Sequence, residues 1–301
     1  MIAHGKLLMA ALLLVSAAST AAAFELGRAA AARAAAPSRR SSAASPTLLA
    51  RAATSAEHLA LIDACLAGPV VAELEPAARE RVASYVRLLL AYNERTNVYS
   101  KSAYGKLPFH VQDSVTLALL LGDTLRAGSA RRAAAASEGG AADGAELVGE
   151  AGGLLDMGSG SGLPSVVLAC VHPDVPVYAV ESKSRKTRFL THAAREIGLP
   201  HYRALTCNVH ELSRSWAFDV DAVTAKAFKQ LPEVAPIAAR CIRSDARLMV
   251  PISEAQVGEF ELAEDQLVRR QQEFIYYSQP LVPSHGVAQR KLATPSDVPR
   301  L

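Results

Sequence analysis

The chain predicts an α/β fold, a mostly parallel sheet covered on both faces by helices, and three observations carry that prediction. Strand-like apolar runs alternate with helix-periodic segments over 154–301, and such alternation builds parallel sheets through crossover connections. The first run ends at a turn with glycines at Gly158, Gly160 and Gly162, followed by a helix-like stretch. The second ends at Glu181, an acid about twenty residues beyond the turn, where a βαβ unit presents it to a bound ribose.

The elements follow in order. Lys6, an apolar block from Leu7 to Ala18 and the small residues Ala21, Ala22 and Ala23 read as a secretory signal, since the block is too short to span a bilayer. From Phe24 to about Thr54 the chain is rich in Ala, Ser and Arg with Glu25 its only acid, the composition of a transit peptide. Signal and transit peptide together, with Phe at the junction, resemble the two-part leader of algae whose plastids lie inside extra membranes. That resemblance implies the plastid stroma, with secretion as the alternative. No stable membrane association is expected once the leader is removed.

A helical unit is expected over 55–125, with helices near 57–67, 76–92 and 110–121. In the second, Val82, Val86, Leu89, Leu90 and Asn93 recur at helical spacing and Pro76 suits the first turn. Residues 126–153 are dominated by Ala and Gly and read as a flexible insertion separating this unit from the core over 154–301. In the core, strands are expected at 154–156, 175–181, 202–207, 220–225 and 247–252, with weaker ones at 273–278 and 287–292. Helices are expected at 163–172, 184–198, 231–242 and 254–270.

Composition constrains function less. A net charge of +3 over 301 residues says little about partners. Cys65, Cys170, Cys207 and Cys241 lack paired spacing, so neither a disulfide framework nor a zinc site is indicated, and no metal is expected.

The glycine turn is the sharper signal. Glycine supplies positive φ and lets a ligand approach bare backbone, while the following helix N-terminus offers unpaired N–H groups. Nicotinamide, flavin and S-adenosylmethionine sites all use such turns. Here the glycines alternate, and the place that a dinucleotide fingerprint gives its third glycine is taken by Leu163. Asp156, just before the turn, would repel a pyrophosphate but could hold a cationic amino-acid tail. S-adenosylmethionine is therefore the favoured cofactor. Ser182, next to Glu181, is expected with it and the turn glycines Gly158, Gly160 and Gly162 on the cofactor; Lys183, Arg185, Lys186 and Arg188 follow, and bases opening a helix oppose its dipole. Contact with a polyanion explains them, and a solvated charged face is the plainer alternative.

The run from Asp156 through Gly158, Gly160, Gly162, Leu163 and Pro164, then Glu181, Ser182 and the bases with Phe189 and Leu190, resembles the glucose-inhibited division protein B family of small-subunit rRNA guanine-N7 methyltransferases. Two upstream stretches match further family signatures in order and spacing: Tyr92-Asn93-Glu94-Arg95-Thr96-Asn97-Val98 and His110-Val111-Gln112-Asp113-Ser114. The resemblance covers about 76–252. It implies a Rossmann-like, class I S-adenosylmethionine-dependent methyltransferase with a seven-stranded sheet and an N-terminal helical extension. Carried over, cofactor contacts fall on Gly158, Leu163, Val209, His210 and Lys226. RNA contacts fall on Asn93 and Asn97 beside the bases, and Lys226, Asp113 and His110 are the candidate catalytic residues, expected near the guanine. The implied partner is small-subunit rRNA or an assembling 30S-type subunit. The chain departs from the family's usual residues at Lys226, where Arg is common, at Asn208, also Arg, and at His210, an acid. Pro251-Ile252-Ser253 stand where a Lys-Gly is usual. A methyltransferase for small molecules or proteins, and a non-catalytic RNA-binding assembly factor, are the rival readings.

Overall fold

The computed structural model describes residues 55–137, 152–285 and 291–292. The expected leader and the later part of the expected insertion lie outside the described residues.

Three helices lead in. Helix α1 (Ala56–Leu66) starts where the Ser55 hydroxyl accepts from the His58 N–H. A single turn, α2 (Pro69–Ala72), links it to α3 (Pro76–Asn93), which opens with proline in its first turn. Val82, Val86, Leu89 and Leu90 of α3 are all buried, each worth about 2 kcal/mol of transfer free energy. After a 3-10 turn (Lys101–Lys106) comes α4 (Leu107–Ser137), 31 residues long. Here the structure corrects the expected boundary, because residues 126–137 continue the helix. Alanine is the best helix former, so an Ala-rich run beyond a packed helix extends it. Arg131 fixes that extension to Asp221 at 2.8 Å, and Gly128 lets the helix approach, since a Cβ there would lie 2.1 Å from the Asp221 carboxylate.

The core then alternates: β1 (Leu154–Met157), α5 (Ser165–Val171), β2 (Val177–Glu181), α6 (Ser184–Ile197), β3 (Tyr202–Thr206), α7 (Val209–Ser215), β4 (Trp216–Ala217), β5 (Ala222–Thr224), α8 (Leu231–Cys241), β6 (Ala246–Ile252), α9 (Glu254–Glu259), β7 (Leu267–Arg270), β8 (Phe274–Leu281) and β9 (Lys291–Leu292). The main sheet has seven strands in the order β3-β2-β1-β5-β6-β8-β7. The first five pair in parallel, and β8 runs antiparallel between β6 and β7.

Two expectations at the C-terminal end are corrected. The helix expected over 254–270 stops at Glu259, and Leu267–Arg270 is a strand. Gly258, one of α9's last residues, disfavours its continuation, and Val268 has a β-branched side chain that suits the sheet edge. The last expected strand does not close the main sheet: residues 286–290 lie outside the described residues, and Lys291–Leu292 pairs instead with Trp216–Ala217.

The N-terminal helices are not a separate unit. One apolar cluster runs from Ile62 and Leu89 through Leu121 to Leu154, Phe189 and Tyr276, while a second occupies the opposite face of the sheet. Polar ties cross the same junction. Arg81 Nε donates to the Cys170 carbonyl at 2.7 Å, and a His172 ring nitrogen meets the Ala118 carbonyl at 2.8 Å.

Candidate active site

Strand order reverses between β1 and β5, and in open α/β sheets the crevice at such a point, beyond the strands' carboxyl ends, receives the ligand. The turn after β1 folds over β2: the N–H groups of Gly158 and Ser159 both donate to the Val180 carbonyl, at 2.8 and 3.0 Å. Tyr85 of α3 holds it from below, donating to the Ser161 carbonyl at 2.9 Å. At Gly158 φ is +80°, and a Cβ would stand 2.7 Å from the Phe228 ring. Gly162 has a different task from the one expected. It does not line the cleft, and a Cβ on it would meet Val166 at 2.5 Å and Leu190 at 3.0 Å. It therefore packs the turn against two helices, the role that a dinucleotide fingerprint gives its third glycine.

Beyond the turn lies a cleft of about 650 Å³, a volume suited to a nucleoside-sized ligand. Of the expected cofactor residues, Gly158, Gly160, Leu163, Glu181, Ser182, Val209, His210 and Lys226 all line it. Glu181, at the end of β2, is 7% exposed. One of its oxygens accepts from the Gly160 N–H at 3.0 Å and the other from the Lys183 N–H at 2.8 Å, with Lys186 Nζ at 3.9 Å. Its orientation is fixed in advance, and a carboxylate's several lone pairs leave room for a ribose hydroxyl.

Asp156 behaves otherwise. It is fully buried under the turn, does not line the cleft, and neither carboxylate oxygen has a hydrogen-bond partner. Burial pushes its pKa up to about 6, partly offset by the nearby hydroxyls of Ser159 and Ser165. A direct grip on a cationic tail is thus not how this residue is placed. The bare backbone at Gly158 and Gly160 and Glu181 on the neighbouring strand nevertheless form a site that fits an adenosine-bearing cofactor.

Lys226 follows β5 and donates to Asp113 Oδ2 at 2.5 Å, while Tyr276 of β8 donates to Asp113 Oδ1 at 2.8 Å. Asp113, expected near the substrate as a catalytic group, is 4% exposed and lies outside the cofactor cleft. It joins α4, the sheet and the Lys226 loop, so it positions the lysine. His110, one turn earlier, does line the cleft, and its Nδ1 has no hydrogen-bond partner. Burial and then Lys226 hold its pKa below the ordinary histidine value, so the ring is neutral at pH 7. Cys207 also faces the cleft, but burial lifts its thiol to about 12 and it offers no thiolate.

On the substrate side, Asn93 is corrected. It is 0% exposed, and its amide donates to the Tyr99 carbonyl and Tyr104 hydroxyl while its oxygen accepts from the N–H groups of Val98 and Tyr99. With all four hydrogen-bonding positions filled, it shapes the loop that carries Asn97 and reaches no RNA. Asn97, Lys183, Arg185 and Arg188 are exposed, and Lys186 is half-buried at the cleft rim. A second cavity of about 660 Å³ adjoins the first, sharing Lys226, Ala227 and Lys229 with it and reaching Asp113 and Phe274.

Sequence reasoning missed Val98 and Tyr99, Ala227 and Phe228, all on the cleft wall. Loop residues carry no periodicity, although Asn93 and Asn97 mark the first loop and Lys226 the second. Ala227 has φ +50°, a left-handed conformation that sequence does not announce.

The family description rRNA small subunit methyltransferase G matches residues 141–281. The protein of that name from Novosphingobium aromaticivorans is 31% identical over 185 residues, covering 60% of this chain and 67% of the relative. The chain belongs to the rRNA small subunit methyltransferase G family. Within that family, the Syntrophotalea carbinolica member is 29% identical over 193 residues, covering 64% of this chain and 76% of its own. Among solved structures, an S-adenosylmethionine-dependent O-methyltransferase from Thermotoga maritima overlaps 66% of this chain and 72% of its own, at 16% identity and a TM-score of 0.38. A likeness of that size adds nothing to the strand order.

Proposed function

We propose that this protein is an S-adenosylmethionine-dependent methyltransferase acting on N7 of a guanosine in small-subunit rRNA. The observation that carries the reading is the shared wall of Lys226, Ala227 and Lys229, which sets a cleft fit for an adenosine cofactor directly beside a chamber for a second substrate. When bound, S-adenosylmethionine supplies a methyl group on a positively charged sulfur.

The chain's residues supply position. Gly160 backbone and Glu181 hold the nucleoside end, Gly158 gives the backbone approach, and Leu163 and Val209 line an apolar wall. Guanine N7 is an unprotonated acceptor at neutral pH, so no residue has to remove a proton and rate comes from alignment of the two reactants. With no proton to remove, His110 and the Asp113-paired Lys226 at the junction serve to position the reactants. N7 lies in a groove of duplex RNA too narrow for side chains, so the target base is taken unpaired. The bases Lys183, Arg185 and Arg188 hold its backbone, either in free rRNA or in a 30S-type particle.

The test is transfer of radiolabelled methyl to rRNA and to small subunits lacking the modification. Label at a single 7-methylguanosine is expected. Label in metabolites or protein with none in rRNA would replace this reading with another methyltransferase, and no calorimetric heat with S-adenosylmethionine would replace it with an assembly factor. The leader's composition supports a plastid stromal site of action. Residues 1–54 fused to a fluorescent protein should direct it to plastids, and secretion of the fusion overturns that assignment.

A further inference from the structure

The second cavity has a wall chemistry of its own. It is bounded by Phe109 on α4, by Lys226 and Lys229 after β5, and by Gln272, Glu273 and Phe274 at the β7–β8 hairpin. Phe109 is 47% exposed, unusual for so large an apolar side chain, and its ring lies 5.5 Å from that of Phe274 at 28°. An aromatic face held open over a stacked partner is a platform for a planar ligand.

Three carboxylates border the chamber, and they differ: Asp113 is held by Lys226 and Tyr276. Glu254 is engaged by the Arg269 guanidinium at 2.7 and 3.3 Å. Glu273 is exposed, and among the described residues no side chain pairs with its carboxylate. It sits in a three-residue hairpin loop whose first two residues, Gln271 and Gln272, have φ of +53° and +58°. Residues with side chains rarely occupy that region, and such strain persists where a loop must aim particular groups. Ala227, on the wall shared with the cofactor cleft, is in the same conformation.

We propose that this cavity is the receptor for the target guanine: the base stacks on Phe109, its Watson–Crick N–H groups donate to Glu273, and a lysine ammonium donates to O6. The inference rests on the methyltransferase reading and deepens it. The N1–H and N2–H groups lie on the edge of guanine opposite N7. Holding them at the hairpin turns N7 and O6 toward the side with Lys226, Lys229 and the cofactor cleft. Adenine would set a ring nitrogen lone pair against the carboxylate and an amino group against the lysines, so the same groups reject it.

The experiment has two arms. In the first, GMP and AMP are titrated into the full chain and into Glu273→Ala, Glu273→Gln and Phe109→Ala, with S-adenosylmethionine affinity measured on each as a check that the cofactor cleft is intact. GMP should bind more tightly than AMP, both Glu273 variants should lose about tenfold or more of that preference, and Phe109→Ala should weaken both nucleotides. In the second, kcat/KM for rRNA should fall at least about tenfold in the Glu273 variants with cofactor affinity unchanged. Equal binding of GMP and AMP by the native chain, or Glu273 variants that keep native preference and native kcat/KM, would overturn the proposal. Absence of rRNA methylation by the native chain instead removes the methyltransferase reading, and the nucleotide arm still reads the pocket.

Discussion

Asp156 is the residue whose chemistry is most at odds with its surroundings. An isolated carboxylate without hydrogen bonds is costly to bury, and the protein carries this one at the foot of its cofactor turn. The unfolded chain ionises it near 3.8 and the folded chain at about 6, so the folded state holds the extra proton and loses stability as pH rises through that window. The loss amounts to roughly 3 kcal/mol at about 1.4 per pKa unit. Asp156→Asn should therefore be more stable than the native protein at pH 7 and should lose the decline between pH 4 and 6, as thermal melts across that range would show. A melting temperature unchanged at pH 7 would mean that the carboxylate is solvated in solution. Glycines in the same turn make a second contrast. Gly162→Ala adds a left-handed alanine and a clash with Val166 and Leu190, about 2–4 kcal/mol, whereas Gly160→Ala makes only ordinary contacts, none closer than 3.8 Å, and carries about 1–2 kcal/mol of backbone strain. Chemical denaturation should rank them in that order.

Among the elements, α4 connects most of the molecule. Its N-terminal turns bring His110 to the cleft and Asp113 to Lys226 and Tyr276, and its far end reaches the foot of β5. There Asp221 is buried and accepts from both Arg131 at 2.8 Å and the Gly153 N–H at 2.9 Å. Asp221→Ala leaves a buried N–H unpaired and should cost about 2 kcal/mol. Arg131→Ala removes a mostly exposed partner and should cost under about 1 kcal/mol. Urea titration of both variants measures the difference. If the two cost the same, the helix extension itself, rather than the Gly153 contact, is what Asp221 holds.

For the molecule as a whole, charge is local rather than global. A net +3 gives little long-range attraction for RNA, so binding must draw on the rim beyond β2, where Lys183, Arg185 and Arg188 are exposed. Reversing all three to Glu should weaken rRNA binding at every sequence and lower the slope of log affinity against log salt by about 2, at roughly 0.7 for each phosphate no longer neutralised. S-adenosylmethionine affinity should stay as it was. Filter binding over a potassium chloride series gives the slope, and an unchanged slope would move the RNA path elsewhere.

What the amino-acid order determined by itself was the local grammar. Alternating apolar runs and glycine spacing specified the parallel strands and the turn at Gly158, and an acid at the next strand's tip specified Glu181, because each depends on neighbours within a few residues. The tertiary structure decided the rest. Whether a polar residue meets solvent or a partner depends on chain brought from far away, and so Asn93 became a saturated loop brace, Asp156 a buried orphan and Asp113 the tether of Lys226. The Ala-rich stretch after Arg126, helix-prone by composition, is fixed against the core by Asp221, just before β5. The hairpin at Gln271 reaches the second cavity only because β8 lies between β6 and β7, a pairing that no short window of sequence encodes.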